Sequence, residues 1–381
     1  MSDDPTRDPR AESTIVESDM NEQLMSPTVF ATAHAFEEPW HDTEATVHRP
    51  LPITAVVALA VGGIAAIYVA LAVLTTVTAE IRVVMTVAGL GLLYLAYRGI
   101  GQRIYGPGFQ AGLWLAVAWL TLTLLAAVFA DFLPLAEARN PSRTLQEPVL
   151  APPDLFSRHP LGTDRQGLDT LGGIIYGLRV SAIVGIGAVT IGIIIGGTIG
   201  TIAGYFRKAV DQVVELLTNS MLAFPPLILL LGIAAVLDRN VRNTTITLSV
   251  LSIPIYARLA RATAMVISQR DFVLAAKALG AKSRRIIIKD IVPGVIRPVL
   301  AYAFVIIAAI VVAEASLSFL GLGIPRPEPT LGNMISAGQG DFDTYPHVVF
   351  APAIALLITV LSLNQIGEYM QSRWNPTESK L

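Results

Sequence analysis

The residues best suited to do chemistry lie in Asp271-Phe-Val-Leu-Ala-Ala-Lys-Ala-Leu-Gly280-Ala-Lys-Ser-Arg-Arg-Ile-Ile-Ile-Lys-Asp-Ile-Val-Pro293, and the chemistry is recognition rather than catalysis. Lys282, Arg284, Arg285 and Lys289 make this stretch too charged to sit in lipid, while its Ala, Leu and Ile make it too apolar for a solvated loop. It therefore reads as a surface on which another protein docks. The alanines between Phe272 and Leu279 permit close approach, and Gly280 supplies the left-handed cap that ends a short helix.

Residues of the catalytic kind are few. Glu314 is the one carboxylate well inside a late apolar run, in Glu314-Ala-Ser-Leu-Ser-Phe-Leu-Gly-Leu-Gly323. An ionisable group at that depth is costly and must face a partner or a water-filled path, which makes Glu314 a candidate pathway or gate residue. The plainer reading is a buried acid hydrogen-bonded to neighbouring helix backbone. Pro225, in Ala223-Phe-Pro-Pro226, is expected to break or kink its helix. His159 stands alone in His159-Pro-Leu-Gly-Thr-Asp164-Arg-Gln-Gly167-Leu-Asp169 and reads as a turn residue, with Asp164 capping a helix that starts near Gln166. No second His, Cys or carboxylate pair accompanies it at ligand spacing, so no metal site is expected. The sequence also lacks a Gly-x-x-x-x-Gly-Lys-Ser/Thr phosphate loop, a Gly-x-Ser-x-Gly elbow, a His-Glu-x-x-His helix and any cysteine. Nothing marks the chain as an enzyme, and ATP-driven work would fall to another polypeptide.

The elements that must carry these residues are membrane helices. Of 381 residues 53% are hydrophobic and 15% charged, and the mean hydropathy is +0.60, a composition that fits a polytopic all-α membrane protein. Eight apolar runs, near 53–78, 82–97, 111–133, 180–204, 213–237, 244–267, 298–320 and 347–370, approach the roughly 20 residues that cross a bilayer. The second is the weakest, because its core is short and Glu80 and Arg82 flank it. Lys and Arg are retained in the cytoplasm. The 268–297 loop holds Arg270, Lys277, Lys282, Arg284, Arg285, Lys289 and Arg297, whereas 323–346 holds only Arg326. The first is expected inside, the second outside with 134–178, and both termini inside. Arg239 and Arg242 are a minor contradiction. Residues 1–50, acidic and without a basic and apolar leader, read as a disordered cytosolic tail rather than a signal peptide.

Along the run at 180–204, Ala188, Gly192, Gly196, Gly200 and Gly204 recur every four residues. Small residues at that spacing let two membrane helices approach closely, as plain packing or as a sliding contact used in gating.

Taken together these segments resemble a known family. Leu274-Ala-Ala-Lys-Ala-Leu-Gly280 followed by Ile291-Val-Pro293 is similar to the cytoplasmic "EAA" loop of binding-protein-dependent ABC importer permeases. His159-Pro-Leu-Gly-Thr-Asp164, Tyr176-Gly-Leu-Arg-Val-Ser181, Ala203-Gly-Tyr-Phe206, Ala223-Phe-Pro225 and the Glu314 segment look like the dipeptide/oligopeptide/nickel branch. The resemblance covers roughly residues 111–371, and the motifs follow the family's order. It implies a type I importer permease with a six-helix core. A second homologous permease, two ATP-binding subunits carrying ATP and Mg, and an external substrate-binding protein would be its partners, with membrane lipid around it and no nucleic acid. The residues implied to face the ATPases are Leu274, Ala275, Ala276, Lys277, Leu279, Gly280, Ile291 and Pro293. Leu274 stands where the family usually has Glu, and Leu168 where Arg commonly precedes Asp169. Residues 51–107 exceed the six-helix subunit and read as an accessory two-helix hairpin, joined by a glycine-rich link at 99–108 to the permease domain at 108–381. The competing classes are an ion-coupled secondary transporter, which would show more intramembrane carboxylates or broken helices matched in two halves, and another polytopic membrane protein such as a membrane enzyme.

Overall fold

A computed structural model describes residues 51–70, 79–154 and 156–374; the acidic segment 1–50 lies outside the described residues. The chain divides into two compact units, one ending at Phe109 and one beginning at Gln110.

In the first unit, α1 (Ile53–Tyr68) and α2 (Ala79–Tyr105) pack as a hairpin. A Cβ on Gly63 would come within 2.8 Å of the Gly89 carbonyl oxygen, so only glycine lets the two backbones approach this closely. α1 accounts for 16 residues of the expected 53–78 run, whose remainder at 71–78 lies outside the described residues. α2 runs 27 residues. The expected link at 99–108 is largely helix as well, because Gly99 and Gly101 lie within α2 and tolerate it. The turn falls at Gly106, whose φ of +90° suits glycine, followed by Pro107.

The second unit holds α3 (Ala111–Val128), α4 (Thr170–Gly192), α5 (Thr198–Phe206), α6 (Lys208–Ala223), α7 (Pro226–Ala234), α8 (Val241–Ile267), α9 (Asp271–Ala278), α10 (Ser283–Ile286), α11 (Val292–Phe319), α12 (Leu331–Gly338) and α13 (His347–Trp374). Apart from one isolated bridge, Thr163 to Asp169, the described residues contain no β-structure. A π-helical turn at Ile193–Gly197 joins α4 to α5 into one 37-residue helix, and another at Ile287–Ile291 joins α10 to α11. Among the described residues six helices are long and apolar enough to cross a membrane, and seven if α6 and α7 form one span, against the eight expected. Those two helices meet at 87°. Pro225 is the residue before α7 and Pro226 opens it, where a missing N–H is harmless, so the expected break at Ala223-Phe-Pro-Pro226 is a sharp bend between two helices.

Most buried side chains gather around α8 and α11, including Val184, Leu248, Tyr256, Ile310 and Leu317. α3 is tied to the bundle by the Trp119 indole donating to Thr359 Oγ1 at 3.0 Å. Between α3 and α4 the chain folds into an irregular cap. Thr163 Oγ1 donates to the Pro148 carbonyl at 2.6 Å and accepts from Ala151 N at 2.9 Å. Ion pairs then bind the cap to the 324–343 segment: Arg165 with Asp341, Arg326 with Asp164 at 3.0 Å, and Arg139 with Glu328 at 3.4 Å.

Candidate functional site: a docking helix, a smooth contact and a buried carboxylate

The helix α9 forms because Asp271 begins a run without Gly or Pro, and it stops at a left-handed glycine. Gly280 has φ +78°; its N–H donates to the Lys277 carbonyl at 3.0 Å, and the Ala281 N–H to the Ala276 carbonyl at 3.0 Å. That pair of bonds is the Schellman arrangement, in which a residue without Cβ satisfies the last carbonyls of a helix. The candidate residues divide between two faces. Phe272, Leu274, Ala275 and Leu279 are exposed, Leu279 at 88%, and Lys277 sets its ammonium 4.9 Å from the Tyr205 ring centre on α5. Ala276 is half-buried against the core. Ile291 is fully buried and Pro293 opens α11, so Ile291 offers nothing to a partner in this conformation, and this corrects its place among the contact residues. Val273 and Ile286, fully buried with Ile291 in the core around α8 and α11, were not singled out from the sequence. Their apolar spacing around the alanines was the signal. The stretch from α9 to α11 is therefore stapled to the bundle, with Phe272, Leu274 and Leu279 exposed on the outer face of α9 and beside its cap.

The small residues at 188–204 face α8 along their whole length. A Cβ on Gly196 would meet the Ile253 carbonyl oxygen at 2.2 Å, one on Gly200 the Ala257 carbonyl oxygen at 2.1 Å, and one on Gly204 the Arg261 carbonyl oxygen at 2.5 Å. Gly192 lies against Ser252, whose hydroxyl donates to the Ala188 carbonyl at 2.8 Å. Backbone touches backbone here, which suits a bilayer, where van der Waals contact replaces the hydrophobic force between helices.

Glu314 sits where α4, α11 and α12 meet, with none of its surface exposed. Ser181 Oγ donates to Oε2 at 3.2 Å, and Ser318 Oγ, one turn on, donates to Oε1 at 2.7 Å. Thr330 caps α12 through a reciprocal pair with Asn333. Glu314 is thus held by side-chain hydroxyls rather than by helix backbone, and no open path reaches it in this conformation. Replacing it with alanine leaves the buried Ser181 and Ser318 hydroxyls short of an acceptor. The expected result is a loss of about 1–3 kcal/mol of stability, read as a lower unfolding temperature of the purified membrane protein, with Glu314→Gln milder. An unchanged unfolding temperature for Glu314→Ala would contradict a structural role for this hydroxyl shell.

The cap over α4 departs from the sequence reading. The helix begins at Thr170, and Asp169 is its cap, accepting from Gly172 N at 2.7 Å. Asp164 instead forms a turn, accepting from Gln166 N at 2.8 Å and Leu168 N at 3.0 Å. His159 is buried between two carboxylates, with Nδ1 3.1 Å from Asp169 and Nε2 3.3 Å from Glu147. Burial pushes the Asp169 carboxyl above its ordinary range, offset in part by the Gly172 N–H and His159. Asp131, by contrast, is held low by the Arg179 guanidinium that donates to it at 2.8 Å. No group of three or more metal-binding side chains occurs among the described residues.

Residues 196–376, which contain the docking stretch, Glu314 and the bend at Pro225, match the family model described as "Binding-protein-dependent transport system inner membrane component". A dipeptide transport system permease protein, DppC of Alkalihalophilus pseudofirmus, is 34% identical over 259 residues, covering 68% of this chain and 83% of that one. The chain belongs to this family. Further relatives of this permease include the di/tripeptide transport system permease protein DppC of Pseudomonas aeruginosa, 31% identical over 68% of this chain and 88% of that one. The glutathione transport system permease protein GsiD of Pectobacterium atrosepticum is 32% identical over 58% and 73%. Among solved structures, the inward-facing MetNI methionine ABC transporter is similar at 18% identity and a TM-score of 0.45, over 53% of this chain and 96% of that one. Family membership makes the chain a multi-pass membrane permease subunit and favours the importer over the ion-coupled carrier.

Proposed function

We propose that this permease transmits the closure of ATP-binding subunits on separate polypeptides to a transport path that it forms with a second homologous permease, and that its cargo is short peptides delivered by an external binding protein. The observation that carries this reading is α9: an outward apolar face at Phe272, Leu274, Ala275 and Leu279 on a helix anchored by Val273, Ile286 and Ile291. A partner that grips that face moves α8 and α11 with it, because the anchors leave no slack. ATP and Mg belong to the partner subunits, as the chain carries no phosphate loop. The relatives that transport dipeptides, di/tripeptides and glutathione support the cargo class. Residues 51–107 are an accessory hairpin to this mechanism.

The charge bias of the loops supports a cell-membrane protein with the α9 loop in the cytoplasm and the ion-paired cap outside, where a binding protein docks; both termini are then cytoplasmic when the 53–78 run and the bent α6–α7 pair each cross once. Single cysteines in this cysteine-free chain test the orientation. Asp343→Cys is expected to react with an impermeant thiol reagent in intact cells, and Ser283→Cys only after the membrane is opened; both positions are exposed. Labelling of Ser283→Cys alone in intact cells would overturn the orientation.

A further inference from the structure

Charged side chains gather on the facing surfaces of α6 and α8. Arg261 is bonded to Asp211, with Nη2 to Oδ2 at 2.9 Å, and to Glu215 Oε2 at 2.9 Å. Arg258, one turn earlier on α8, has no carboxylate within ion-pair reach among the described residues; its Nη2 donates to Asn219 Oδ1 at 2.9 Å. On α6, Lys208, Gln212, Glu215 and Asn219 recur at spacings of three and four, so they share one face, and all four are exposed. α8 has 27 residues, about 40 Å of helix, and Arg258 lies nine residues before its end, about 13 Å in. A hydrocarbon core of about 30 Å then puts Arg258 several ångströms inside the boundary.

A cation exposed on this surface is costly against lipid, by about 2.5–3.5 kcal/mol at the bilayer centre and less nearer the boundary, and that cost is absent where the surface lines an aqueous path. Its neighbours on the same surface are an amide and a carboxylate, so the surface is polar as a stripe rather than at a point. We infer that this stripe lines the transport path and forms a transit site for zwitterionic short peptides, with Arg258 taking the peptide's carboxylate and Glu215 facing its ammonium group. Asn219 and Glu215 are one helical turn apart on α6, with about 5–6 Å between their Cβ atoms, so the guanidinium bonded to Asn219 and the Glu215 carboxylate stand one turn apart along the stripe, a spacing of the order of the two ends of a small peptide. Arg261 holds Glu215 in place from behind. Guanidinium matches carboxylate by a forked pair of hydrogen bonds, and Asn219 accepts from one nitrogen of the fork, setting its direction. A transit site must also release its ligand, which a site with one cation and one half-exposed anion is suited to do. The inference rests on the peptide-importer reading.

The test uses the assembled transporter, with its second permease, ATPases and binding protein. Gln212→Cys places a reporter on the stripe, and its reaction with a hydrophilic thiol reagent is read against the complex whose chain keeps its cysteine-free sequence. The cysteine is expected to react, and a free-acid dipeptide at about ten times its apparent Kd should slow the reaction about tenfold. The same dipeptide with an amidated C-terminus should not slow it. Adding Arg258→Gln should abolish the protection, and Arg258→Lys should keep part of it; the acid-against-amide comparison stands without either. A cysteine that stays unreactive in the complex would show that the second permease covers the stripe, and equal protection by acid and amide would show that no carboxylate site exists; either overturns the inference. Uptake of the same dipeptide by the parent complex separates the two levels. Uptake without protection defeats the transit site alone, while absence of peptide uptake defeats the peptide reading and the transit site with it.

Discussion

Replacing Leu279 with aspartate is expected to release the ATP-binding subunits while leaving the permease inserted and folded. Leu279 is 88% exposed and contributes nothing to the core, so its apolar side chain has no role within the chain that the substitution would remove. A charge buried at the centre of a protein contact commonly costs 2 kcal/mol or more, about a thirtyfold loss of affinity. Gly280→Val should reach the same end by another route. At φ +78° a β-branched residue is strained by about 1–2 kcal/mol, so the Schellman cap opens and the outer face of α9 loses its position. Co-purification of the ATPases and the ratio of transport to ATP hydrolysis are the measurements. Undiminished co-purification and coupling in both variants would contradict docking at α9. Val273→Asp provides the contrast, because that side chain is fully buried and its loss should lower the yield of folded permease itself.

Gly200→Val should prevent the bundle from closing. Even the Cβ would lie 2.1 Å from a backbone carbonyl of α8, and a carbonyl in a packed helix has nowhere to go. Overpacking of this kind costs about 1–3 kcal/mol, and more where backbone must move. Gly197→Ala is the matched control, three residues away in the same long helix, since nothing lies within 4 Å of its Cβ position. Folded protein recovered after mild detergent extraction should fall sharply for Gly200→Val and stay near the parent level for Gly197→Ala. Equal recovery of the two would mean that this contact tolerates separation and that the close approach is not required.

The parts of the permease legible in the sequence are those governed by local rules. A four-residue recurrence of small side chains from Ala188 to Gly204 points to one face, and α8 lies against it. Gly280 and the paired prolines at 225 and 226 act on their own backbone, so the cap and the bend could be placed without knowing the fold. What could not be read are the meetings of distant residues. His159 looks solitary because Glu147 and Asp169 reach it only after the cap folds. Ser181 and Ser318 look ordinary until the packing of α4 on α11 brings both hydroxyls to Glu314. Arg258 and Arg261 sit in an apolar run where a charge pattern at three-residue spacing was visible, but their partners Asn219, Asp211 and Glu215 are about forty to fifty residues away in the chain. The long helices also run past their apolar cores, as α2 does to Tyr105, because charged ends extend a helix into water that a hydropathy window ignores.

The claim on which the account turns is that the ATPases grip the outer face of α9. Cysteines introduced singly at Leu274 and Leu279 and exposed to a short bifunctional thiol reagent in the assembled transporter test it, each ATPase carrying one cysteine in the groove expected to receive the helix. The account predicts a cross-linked product of permease and ATPase from both positions, formed to a different extent when the ATPases are trapped with ATP, and none from Asp343→Cys in the opposite cap. Cross-linking from Asp343→Cys with none from Leu274→Cys or Leu279→Cys would contradict it.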